Sequence, residues 1–172
     1  LSLEHTFLVQ VLRFFLDGRP LQGEPWGTLR WEEILSLARH QNLVPIVNHV
    51  LARKEFADRV PPEVREAFRA GFFEEAARSL RQERDLREIV GAFQAADLSF
   101  ILFKGPSMAF EFYPRVELRT YRDLDLLIRE KDYDLAKATL ARIGYRVHKP
   151  EREEIRRSSF NSVTFIKPDG EG

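Results

Sequence analysis

Phe100-Ile101-Leu102-Phe103-Lys104-Gly105-Pro106-Ser107, followed closely by Arg119-Thr120-Tyr121-Arg122-Asp123-Leu124-Asp125-Leu126-Leu127-Ile128, decides how this chain is read. The apolar run Phe100 to Phe103 is strand-like, and a short helix from Ser107 to Tyr113 follows it. A phosphate suits such a turn. Gly105 lets backbone approach it, and the helix N-terminus offers N–H groups and a favourable dipole. Pro106 has no N–H, so the expected donors are the Ser107 and Met108 N–H groups and the Ser107 hydroxyl.

The second stretch alternates. A strand from Asp123 to Ile128 has a period of two, which puts Asp123 and Asp125 on one face and Leu124 and Leu126 on the other. Carboxylates so spaced repel unless a cation lies between them, and a divalent metal is the usual answer. Mg²⁺ takes oxygen ligands, keeps waters and completes its shell with substrate phosphates. The plainer reading makes the pair the solvent face of an edge strand. Aspartate is a poor strand former, however, and with the Lys-Gly element upstream the metal reading is preferred. Lys104 has two readings, as an ordinary strand-end lysine or as a residue that contacts phosphate or holds the loop. Arg119 and Arg122 are either solvated loop charges or partners for a triphosphate or the aspartates.

Bulk composition narrows the function classes. A chain of 172 residues with 44% hydrophobic content holds one good core or two small ones. There is no cysteine, which removes disulfide, thiolate-metal and cysteine-nucleophile chemistry together. The 27 basic and 27 acidic residues cancel, so a large non-specific nucleic-acid surface is disfavoured. No apolar run is long enough for a membrane and no signal-peptide pattern opens the chain, so a cytoplasmic protein is expected.

Taken in order, the chain begins with a helix from Ser2, its N-cap, to about Leu16, followed by a turn-rich loop from Asp17 to Gly27. Helices over Trp31 to Arg39 and Pro45 to Arg53 come next. His40 and His49 lack the spacing of a zinc-binding pair and read as structural. Val60-Pro61-Pro62 starts a long helix to about Ala96, with Glu74–Arg78 and Glu83–Arg87 as expected surface pairs and Gly71 marking a kink or close packing. From Leu98 strands and helices alternate, with a helix over Asp132 to Ile143, Gly144 as its stop, a strand from Tyr145 to His148 and a strand from Phe160 to Lys167. The fold expected is α+β: a helical N-terminal region, residues 1–97, then a small mixed-sheet core, residues 98–172. Lys167-Pro168-Asp169-Gly170-Glu171-Gly172 reads as a hairpin turn whose return strand is missing, so the core is expected to be incomplete and truncated at the C-terminus.

A strand, a glycine and serine at a helix start, and Asp-x-Asp on a second strand together resemble the nucleotidyltransferase superfamily of the DNA polymerase β type. More closely, Leu102-Phe103-Lys104-Gly105, Tyr113-Pro114, Arg119, Asp123-Leu124-Asp125-Leu126-Leu127-Ile128 and Gly144-Tyr145 resemble a bacterial family of uncharacterised nucleotidyltransferases, a resemblance that also takes in Trp31 to Leu51. It implies transfer of an NMP from an NTP to an acceptor, with Asp123 and Asp125 as catalytic metal ligands and two Mg²⁺ ions in the complete site, Mn²⁺ being an alternative. It implies that Gly105 and Ser107 cradle the phosphates, and it selects Lys104 and Arg119 as nucleotide-binding residues. The superfamily uses a third carboxylate on a later strand, expected here beyond Gly172. NTP and an acceptor of unknown identity are the implied partners, with a protein partner as a further candidate and no membrane. Two other functions stay open: a catalytically inactive nucleotide-binding protein in a biosynthetic complex, and a helical interaction module.

Overall fold

Helix α1, Leu3–Asp17, starts and stops where local chemistry says it should. In the computed structural model, which describes residues 2–21, 26–148 and 163–168, Ser2 is extended (φ −67°, ψ 167°) and its hydroxyl accepts the His5 N–H. Gly18 ends the helix at φ 71°, a left-handed conformation that glycine takes without a Cβ penalty, and its N–H reaches the Phe14 carbonyl at 3.0 Å. Three further short helices follow: α2 (Trp31–His40), α3 (Val44–Leu51) and α4 (Lys54–Ala57). The helix expected over Pro45 to Arg53 is therefore α3, ending at Leu51, with α4 a separate turn after Arg53. Asn42, between α2 and α3, sits at φ 56°, a conformation that asparagine tolerates better than most residues.

These helices bury one stripe each. Phe7 and Val11 of α1, Ile34 and Ala38 of α2, and Val47 and Val50 of α3 meet Phe68 in one cluster. The rings of Phe7 and Trp26 stand edge to face at 5.3 Å, and Trp31 lies 5.5 Å from Phe7 on another edge. Each fully buried large apolar side chain is worth about 1.5–3 kcal/mol, so this cluster is what holds the helices together. His49 lies edge-on to Phe15 at 6.0 Å, and burial, with Arg115 and Arg53 nearby, pushes its pKa down.

Pro62 opens the long helix α5, Pro62–Ala95, where the missing N–H costs nothing. Gly71 lets α5 approach α3 closely, since a Cβ there would lie 3.0 Å from Val44 Cγ1. Arg78 pairs with Glu75 at 2.7 Å, three residues away, rather than with Glu74. Both spacings lie on the same helix face, and Glu75 is the more enclosed partner.

Beyond α5 come β1 (Phe100–Phe103), α6 (Gly105–Phe112), β2 (Asp125–Ile128), α7 (Tyr133–Arg142), β3 (Arg146–Val147) and β4 (Phe165–Ile166). The class is α+β, with β1-β2 and β3-β4 as two-stranded sheets among the described residues. β3 and β4 run antiparallel, Arg146 opposite Ile166 and Val147 opposite Phe165. The strand expected from Phe160 is seen from Phe165, while residues 160–162 and the turn residues from Asp169 on, with Glu171, lie outside the described residues. No helix among the described residues is long and apolar enough to cross a membrane.

The chain divides into two compact units, and the divide falls inside α5, β1 and β2. One contains the residues up to Glu83 together with Leu102–Asp125; the other contains Arg84–Ile101 together with the residues from Leu126 onward. In the second unit Phe93 packs edge-on against Phe100 at 5.5 Å, and Gly144, at φ 90°, terminates α7. Lys167 reaches Glu88 at 2.6 Å, and burial, reinforced by Asp85 and Glu88, raises the Tyr145 phenol to about 12.

Candidate functional site

The passage from β1 to α6 turns on one residue. Lys104 is the N-cap of α6 at φ 54°, ψ −122°, a region that residues with a Cβ occupy at a cost of about 1–3 kcal/mol. Its carbonyl fastens the turn: the Met108 N–H donates to it at 2.9 Å and the Ser107 hydroxyl at 2.7 Å. Helix α6 thus begins at Gly105, two residues before the expected start at Ser107, and this changes the donor set. Met108 is the first residue with an acceptor four positions back, so its N–H is used inside the helix. The Ser107 hydroxyl braces the elbow. By position, the first-turn N–H groups of Gly105 and Ser107 are those without an intrahelical acceptor.

Gly105 is needed for packing. A Cβ there would lie 2.9 Å from Tyr121 Cβ, 3.1 Å from its Cγ and 3.5 Å from the Asp123 carbonyl oxygen. This contact locks the elbow to the acidic run. Tyr121 is buried, and burial with Glu83 nearby raises its phenol pKa. Its ring also lines a groove of about 280 Å³ with Phe72, Phe73, Leu80, Phe110 and Val116. Tyr121 was not assigned a role from the sequence, because nothing local distinguishes a tyrosine that closes over a glycine sixteen residues away.

The segment before β2 is pinned by side chains. Leu118 is buried, in a short turn over Val116–Leu118 that packs on α3. Arg122 donates to Asn42 Oδ1 at 3.0 Å, and the half-buried Arg119 donates to the Thr120 carbonyl at 2.5 Å. Neither arginine pairs with an aspartate among these contacts. Tyr113 caps the far end of α6 and lays its ring 6.1 Å from that of Phe15 on α1.

β2 starts at Asp125, not at Asp123, so Asp123 sits in the approach to the strand with its side chain exposed. Asp125 is partly covered, and the Lys104 ammonium stands 3.4 Å from its Oδ2. The structure therefore brings together Lys104, Gly105 and Asp125, with the Asp123 backbone beside Gly105. Leu127, two residues on from Asp125, is 60% exposed, so the carboxylate face of the strand is not wholly polar.

As a donor set the two aspartates suit Mg²⁺. They are hard oxygen ligands, and Mg²⁺ commonly takes one or two carboxylates from a protein and the rest of its shell from phosphate and water. Among the described residues no group of three acidic, histidine or cysteine side chains is placed to hold a metal alone. The Lys104 ammonium is the positive partner that Asp125 has in this structure.

Comparison with known proteins adds one finding. A family model described as uncharacterised nucleotidyltransferase matches residues 27–166, which spans the helices from α2 onward, the elbow and both aspartates. No curated protein matches the chain, and no solved structure does.

Proposed function

Because the chain belongs to the family of uncharacterised nucleotidyltransferases, we propose that it moves an NMP from an NTP to an acceptor hydroxyl, with Mg²⁺ as the working metal and Mn²⁺ as a substitute. The observation that carries this is the meeting of Lys104, the α6 N-terminus and Asp125 at one elbow. In this reading residues 98–172 carry the nucleotidyltransferase-like core and residues 1–97 the helical region. A cytoplasmic location goes with the need for NTP.

The first-turn N–H groups of Gly105 and Ser107 face the triphosphate, where the helix dipole favours negative charge. The Lys104 ammonium adds a full positive charge at the same end. Ser107 acts through the backbone: its hydroxyl, committed to the Lys104 carbonyl, keeps the turn in shape. Arg119 neutralises phosphate charge with the N–H donors that its bond to the Thr120 carbonyl leaves over. Asp123 and Asp125 hold the metal, which when bound supplies charge neutralisation on the phosphates and on the leaving pyrophosphate. The acceptor oxygen bonds to the α-phosphorus as the bond to pyrophosphate breaks, pyrophosphate leaves, and the acceptor hydroxyl gives up its proton to solvent.

Calorimetric titration with each of the four NTPs, in Mg²⁺ and in EDTA, tests the reading beside Asp123→Asn and Asp125→Asn, with circular dichroism to check the fold. Saturable binding that needs metal and is lost in both variants is the expected result. Unchanged binding in both variants overturns the site. Binding by the wild type without transfer of label to any acceptor in a cell extract favours the inactive nucleotide-binding protein instead.

A further inference from the structure

Lys104 pairs with one carboxylate and stands at a helix end that suits an anion. Its ammonium stands 3.4 Å from Asp125 Oδ2 and 5.3 Å from the centroid of the Phe103 ring, while its backbone caps the helix end that faces phosphate in the reading above. A phosphate at that helix end draws on the same charge that now faces Asp125. A divalent cation on Asp125 also competes with that ammonium for the same carboxylate and repels it. The backbone adds a separate reason to look here. At φ 54°, ψ −122° a glycine would fit without cost, so a lysine side chain is kept at the expense of local stability.

We propose that Lys104 is a tethered counter-ion that holds Asp125 away from divalent metal until a polyphosphate draws the ammonium off, so that metal and nucleotide enter the site together. This rests on the nucleotidyl-transfer reading of the elbow and adds an order of events to it. The pair is a weak latch by design of its surroundings: both side chains are solvent-accessible, at 62% for Lys104 and 38% for Asp125. An ion pair so exposed changes a binding constant by about two- to fivefold. A triphosphate carries several charges against the carboxylate's one, and so can open it. Linkage makes the effect reciprocal: metal on Asp125 frees Lys104 for phosphate by the same factor.

The test measures free Mn²⁺ by electron paramagnetic resonance over this chain, with and without an α,β-methylene NTP analogue, for the wild type and for Lys104→Gln, Lys104→Gly, Lys104→Arg and Asp125→Asn. Lys104→Gly suits the backbone and so remains informative if the glutamine variant folds poorly. Both neutral variants are expected to tighten Mn²⁺ binding without nucleotide by about two- to fivefold and to weaken binding of the Mn²⁺–analogue complex. Lys104→Arg, which keeps the charge, should retain the wild-type pattern. The opposite signs are the signature, since a merely structural lysine would weaken both. If the wild type binds the Mn²⁺–analogue complex through Asp125 but the neutral variants leave nucleotide-free Mn²⁺ binding unchanged or weaker, the counter-ion role is wrong and the site reading stands. If the wild type binds no Mn²⁺ even with the analogue, the site reading fails and takes this inference with it.

Discussion

Two helix N-termini in the same compact unit are built in opposite ways. α1 has a serine cap in extended backbone, an acidic residue in its first turn and a half-buried ion pair, Glu4 with Arg30, whose two hydrogen bonds measure 3.0 and 3.1 Å. α6 has a lysine cap at positive φ, no side-chain cap and no acidic residue in its first turn. The first terminus supplies its own negative charge. The second brings a positive charge to the positive end of a helix, which local preferences oppose. Unlike α1, α6 has no negative charge in its own first turn, and the ammonium of its cap finds one on β2, at Asp125; in the proposed function phosphate is the anion that this helix end receives.

The contrast breaks most severely at Gly105. A methyl group there meets Tyr121 Cβ at 2.9 Å, and the obstacle is the root of a buried side chain with the Asp123 backbone behind it. Gly105→Ala is expected to lose about 2–3 kcal/mol in urea unfolding and to lose nucleotide binding with it, because the elbow and the acidic run separate. Gly91→Ala is the control, since nothing lies within 4 Å of a Cβ at that position in α5. A Gly105→Ala protein as stable as the wild type would mean that the elbow and Tyr121 are not locked together.

Lys104→Gly sharpens the comparison from the other side. Relief of the strained backbone is expected to raise stability by about 1 kcal/mol, the gain being less than the full strain because glycine also frees the unfolded chain. Nucleotide binding should weaken in the same variant. A protein that becomes more stable as it becomes a poorer binder would identify the strain as something kept for the site; loss of both would assign Lys104 to the fold.

How far these features were legible depended on what holds each one. Ser2 and Gly18 are residue types selected for their local conformations, so α1 could be read almost to the residue. The order of Lys104-Gly105, Arg119 and Asp123-Leu124-Asp125 was legible as a family resemblance, and the stretch matched by the family model contains it. The elbow itself was not. Positive φ is signalled in sequence by glycine or asparagine, and here it falls on a lysine, next to a glycine that packs under Tyr121. β2, too, starts later than the alternation suggests. Residues 119–124 are pinned by Arg122 on Asn42, 80 residues back, and by Tyr121 on Gly105, contacts that the period of two cannot reveal.

The gentlest test lies at α1, where the helix carries its own carboxylate. The hydrogen bonds from Arg30, with help from the backbone and Ser2, bring the Glu4 carboxyl from 4.5 down to about 2. Glu4 is 2% exposed, while the Arg30 side chain is 67% exposed, so solvent screens one half of the pair. A pKa lowered in the folded state stabilises the protein in full above the unfolded value. That contribution is lost as pH falls from 4.5 toward about 2, because the unfolded chain then takes up the proton first. Thermal melts of the wild type and Glu4→Gln at pH 7, 4 and 3 should therefore converge as the acid increases, with the wild type losing more. Parallel curves would show that Glu4 is not the negative charge this helix end relies on, and the contrast with α6 would then rest on the Ser2 cap alone.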